Sequence, residues 1–136
     1  MNSGPKLVSI LRQGAYLIAS IHTALDDTEM ERFREDLIDQ IGRHRSRGVI
    51  IDVAALDVLD SFGARTLRTI GEVARLRGAI TLIVGIQPDV AFAMVSLGMS
   101  TGTIATALDL EEGLEYLNQR IAGGTVTTPI RPTPRT

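Results

Sequence analysis

One segment of this chain has residue types at a spacing that could do chemistry: Asp57-Val58-Leu59-Asp60-Ser61-Phe62-Gly63-Ala64. It lies between a β-branched run and a helical repeat, so it puts a hydroxyl where the first backbone N–H groups of a helix have no partner. The spacing predicts Ser61 as the N-cap, a role worth about 0.5–2 kcal/mol relative to alanine. The same position suits a phosphoryl acceptor, because a phosphate on Ser61 would meet unpaired amides and the positive end of the helix dipole. It would add about −1.5 to −2 charges beside Asp60 and Asp57 and change the local surface while the core stayed intact. Arg65 and Arg68 follow on the helix, within reach in projection of a phosphate or an acidic partner. With Glu72 and Arg75 they form a stripe, read as an interaction face ahead of the solvated helix face that such stripes usually are.

Other chemistries lack their parts. Asp57 and Asp60 as an acid–base pair have no flanking histidine or metal ligand, so no catalytic residue is assigned. Lysine occurs once, as Lys6, which removes a Walker-type lysine and a Schiff base. The thirteen glycines form no phosphate-binding fingerprint, and His22 and His44 have no partners at ligand spacing. Asp52 ends a strand as a receiver aspartate would, but no acidic pair or strand lysine supports it, so it is expected to cap backbone amides. Neither a metal nor a cofactor is expected. Binding of an anionic small molecule or nucleotide at the helix start stays open as an alternative.

The absence of cysteine fits a reducing compartment, and cytoplasm is the expected location. A net charge of −2 exerts no pull on nucleic acid or anionic membrane, and no apolar run approaches the ~20 residues of a membrane span. Neither is an expected partner. With 44% hydrophobic and 4% aromatic residues in 136, the composition is that of one globular domain with an aliphatic core.

The elements that must position Ser61 follow from periodicity. Leu7–Leu11 and Ala15–Ile21 read as a hairpin joined by Arg12, Gln13 and Gly14. Met30, Phe33, Leu37, Ile38 and Ile41 recur at helical spacing from about Thr28 to Arg45, with Asp26 and Glu29 as a capping box and Gly48 as terminator. Val49–Val53 reads as a strand buried on both faces. The helix after Ser61 runs to Gly78, and strands at Ile80–Val84 and Thr103–Thr106 flank a helix opened by Pro88 and closed by Gly98. Asp109 and Glu112 open a last helix. The order ββαβαβαβα predicts an α/β fold with a mainly parallel sheet over residues 1–122. Residues 123–136, with three of the five prolines, read as a flexible tail.

The run IIDVAALDVLDSFGARTL resembles the STAS domain of bacterial anti-sigma factor antagonists, in which the serine after aspartate accepts phosphate; Ser61 matches it. VGIQPDVAFAMVSLGM, IATALDLEEGLEYL and IHTALDD are similar to the RsbS type of stressosome scaffold. The resemblance implies a mixed sheet flanked by about four helices and a non-catalytic scaffold. It implies homo- and hetero-oligomers with RsbR-type STAS paralogues in a large complex. An RsbT-type serine kinase would be sequestered and then released when Ser61 is phosphorylated, and a PP2C-type phosphatase would reset the site. Asp57, Asp60, Phe62, Gly63, Arg65 and Arg68 would contribute to the kinase-facing surface. Phe62 departs from the family's usual second serine, which leaves one acceptor in place of two. The alternative within the family is a stand-alone antagonist that binds an anti-sigma kinase directly.

Overall fold

The two apolar runs at the start of the chain pair as a hairpin in the computed structural model, which describes residues 6–99 and 104–125. β1 (Val8–Gln13) and β2 (Tyr16–Ile21) are antiparallel, and the pairing closes at Gln13 opposite Tyr16. Arg12 and Gln13 therefore belong to β1 and not to the loop. The turn is the two residues Gly14 and Ala15, with Gly14 at φ +60°, a conformation that costs other residues roughly 1–2 kcal/mol.

α1 (Asp27–His44) starts at the expected capping box, with Asp26 accepting from the Glu29 N–H and Glu29 accepting from the Asp26 N–H. It does not end at Gly48. Arg45, at φ 49°, turns the chain out of the helix, held by backbone hydrogen bonds from Arg45 to Gly42 and from Ser46 to Ile41. Gly48 instead opens β3 (Gly48–Asp52), where an added Cβ would lie 2.7 Å from Leu117 Cδ1 and 3.1 Å from Tyr16 Cδ1. The glycine serves close packing, a signal that periodicity does not carry.

α2 (Ser61–Leu76), β4 (Ile80–Val84), α3 (Pro88–Ser96), β5 (Ile104–Ala107) and α4 (Leu110–Thr125) complete the order. Asp109 accepts from the Glu112 N–H, while Glu112 reaches past it to the Leu108 N–H, so this capping box is displaced by one residue. α4 stays helical to Thr125, three residues into the expected tail; Thr103 and residues 126–136 lie outside the described residues.

The strands lie side by side in chain order, β1-β2-β3-β4-β5, and every pair after the hairpin is parallel. The result is the mixed, mainly parallel sheet with four helices that the resemblance implies. One face carries Leu17, Ala19, Val49, Ile51 and Ile83 against the apolar sides of α1, α2 and α3. The other carries Ile50, Leu82 and Val84 under Leu117 of α4. β3 is buried along Gly48–Ile51, as a central strand covered on both faces should be. Among the described residues no helix is long and apolar enough to cross a membrane.

Candidate functional site

Parallel strands place their following loops at one end of the sheet, and the loop from β3 to α2 leaves that end through a clamped start. Asp52 Oδ1 accepts from the Ala54 N–H at 2.9 Å, the amide cap expected of it. Gln87, at the start of α3, donates through Nε2 to the Ala54 carbonyl at 2.8 Å. Gly85, at φ +76°, passes beneath, where a Cβ would lie 2.9 Å from that of Ala54. Leu56 and Leu59 then anchor the loop in the core, while Asp57, Val58 and Asp60 stay exposed. Every third residue, Val53, Leu56 and Leu59, thus holds the loop, and those between present it.

The cap at the start of α2 is Asp60, not Ser61. Asp60 has extended backbone geometry, and its Oδ1 accepts from the Gly63 N–H at 2.8 Å. Ser61 is the first helical residue, exposed. The helix begins one residue earlier than the hydroxyl pattern implies because a carboxylate in the preceding position supplies the same acceptor. The first turn of α2 holds no acidic residue, whereas α1 and α4 each carry two there. Negative charge added at Ser61 would therefore meet a dipole end shared only with the Asp60 cap.

The remaining expected site residues divide. Phe62 is half-buried against the core, and the Arg65 guanidinium lies 5.7 Å from its ring centroid, within cation–π range. Arg68 donates to the Gly98 carbonyl beyond α3 at 3.5 Å, a long contact that engages it away from the helix start. Gly63 is buried and offers the surface no side chain. Its Cβ would come within 2.9 Å of Leu59 Cδ1 and 3.2 Å of Asp60 Oδ1, so the glycine leaves room for the cap. Thr66, about one turn after Ser61, is buried with its hydroxyl donating to the Phe62 carbonyl.

Sequence reasoning missed the neighbour of this site. Asp27 and Met30 at the start of α1, with Leu25 before it, meet Leu56, Asp60 and Phe62 around a groove of about 160 Å³. The signal was present in the Asp26 capping box, which fixes where α1 begins, but nothing local says that two helix starts lie side by side.

The model of the STAS domain matches residues 8–112, which takes in every strand and the first three helices. The chain belongs to the STAS domain family. RsbS of Moorella thermoacetica, solved with a serine replaced by glutamate, is 34% identical with a TM-score of 0.77, over 85% of this chain and 98% of that one. A chain of the stressosome, described as a signal integration and transduction hub, is 32% identical with a TM-score of 0.70, over 83% and 98%. The RsbT co-antagonist protein RsbRA of Bacillus subtilis (strain 168) is 32% identical over 91 residues, 67% of this chain. This STAS chain spans about a third of the length of that curated relative. The chain is thus similar to STAS proteins that take part in stressosome signalling.

Proposed function

We propose that this STAS protein is a non-catalytic cytoplasmic regulator of the stressosome type. It captures an RsbT-like serine kinase and releases it when Ser61 is phosphorylated. Its assembly partners are RsbR-type paralogues, and a PP2C-type phosphatase restores the hydroxyl. The observation that carries this reading is the exposed Ser61 side chain on the first residue of α2, with Asp60 doing the capping beside it. The acceptor can be esterified without removing a bond on which the helix depends.

Phosphate there adds about −1.5 to −2 charges to a surface already bearing exposed Asp57 and Asp60. A partner contact matched to the neutral hydroxyl meets added bulk and charge at that point. A nucleotide-binding role is less well supported, since the groove beside Ser61, at about 160 Å³, is smaller than the roughly 300–1,000 Å³ of ordinary ligand pockets.

The test is incubation with an RsbT-type kinase and MgATP, followed by peptide mass mapping. Phosphate is expected on Ser61 and absent from Ser61→Ala. In a capture assay Ser61→Ala should retain the kinase and Ser61→Asp should bind it about tenfold more weakly or worse. Phosphate instead on Thr69, the exposed threonine two turns further along α2, or equal kinase affinity for both variants, would overturn the proposal.

A further inference from the structure

The groove framed by the starts of α1 and α2 has an apolar floor that includes Ile21, Leu25, Met30, Leu56 and Leu59. Its charged lining residues are Asp27 and Asp60, both acids, with no cation between them. Its volume of about 160 Å³ is close to that of a dry apolar cavity of ~150 Å³ that takes one benzene ring. There is room for one large side chain. Ser61 does not line the groove, but Asp60 and Phe62 on either side of it do. Whatever enters is therefore held within one residue of the acceptor.

We infer that this groove anchors a protein partner through one large aliphatic or aromatic side chain flanked by arginine or lysine. The inference rests on the kinase reading above, with the anchoring segment belonging to the kinase. An acidic segment would be repelled by both carboxylates, and a neutral one would leave Asp27 without a counterpart and Asp60 with only the Gly63 N–H. A basic flank pairs with each and leaves the apolar tip to fill the floor, the arrangement of an interface hot spot inside a polar rim. Phosphate on Ser61 adds charge of the sign that attracts such a flank. Release of the kinase therefore comes from the contact facing Ser61, and the groove supplies affinity that phosphorylation does not remove.

Three acetylated and amidated tripeptides separate the possibilities: Arg-Leu-Arg, Glu-Leu-Glu and Arg-Ser-Arg, titrated to millimolar concentration against methyl-labelled protein. Arg-Leu-Arg alone should shift the methyl signals of Met30 and Leu59. Asp27→Asn should weaken it about two- to fivefold, the range of a rim charge pair. Ala24→Trp, which fills the groove from an exposed loop position, should abolish the shifts. Ser61→Asp should leave binding equal or tighter. Equal shifts from all three peptides, no shift from any, or binding untouched by Ala24→Trp would overturn the anchor. None of those results bears on whether phosphate enters Ser61, which the mass mapping decides separately.

Discussion

The carboxylate of Asp60 accepts the Gly63 N–H at 2.8 Å, so the helix has no need of the hydroxyl beside it. Asp60→Ala should lower unfolding free energy by about 0.5–2 kcal/mol in urea titration, the usual loss of an N-cap. Ser61→Ala should stay within about 0.5 kcal/mol of the parent, as exposed substitutions away from special features do. The opposite ranking would return the cap to Ser61. That Ser61 stands at a helix start was legible, because a hydroxyl between a strand and a helical repeat falls there. Which of two adjacent cap-formers takes the cap was not, since both residues satisfy the same pattern one position apart. The orientations of Arg65 and Arg68 were illegible for another reason. Helical spacing sets which residues share a face, while Phe62 and the Gly98 carbonyl, brought close by tertiary packing, set where long side chains go.

At the level of elements, α4 reaches the sheet through two glycines. Besides Gly48 under Leu117, Gly113 of α4 would carry a Cβ 3.0 Å from Val84 Cγ1. Gly48→Ala should cost about 1–3 kcal/mol by overpacking. Its signature should be loss of amide exchange protection in α4 ahead of α1, and uniform loss across both helices would contradict it. Helices were legible from apolar residues repeating at period 3.6, and β3 and β4 from short continuous β-branched runs buried on both faces. Helix ends were legible where a carboxylate capped them, as at Asp26 and Asp109. At Arg45 the end was read in the right place but assigned to Gly48, because an arginine took the left-handed conformation that glycine usually fills.

Across the whole molecule, the Tyr16 phenol donates to Asn118 at 2.6 Å and ties β2 to α4 over 102 residues of chain. Burial raises its pKa above the usual 10.0, with Arg47 opposing in part. The folded state holds this proton more tightly than the unfolded chain. The stability it confers is complete below pH 10 and is lost as pH rises through the folded value. Denaturation of the parent and of Tyr16→Phe from pH 7 to 11 should show the parent ahead at neutral pH by about 0.5–1.5 kcal/mol. The gap should close above pH 10, and a constant gap would exclude this origin.

Five strands that follow one another across the sheet as they do along the chain also bear on how the protein is made. Each strand leaving a ribosome finds its neighbour already synthesised and never has to wedge between two earlier ones. At about 5–20 residues per second, a new strand is ready every few seconds, so assembly can proceed by accretion at one moving edge. The face beneath α4 is the last to be sealed, and it stays open to chaperones until residues 110–125 have emerged.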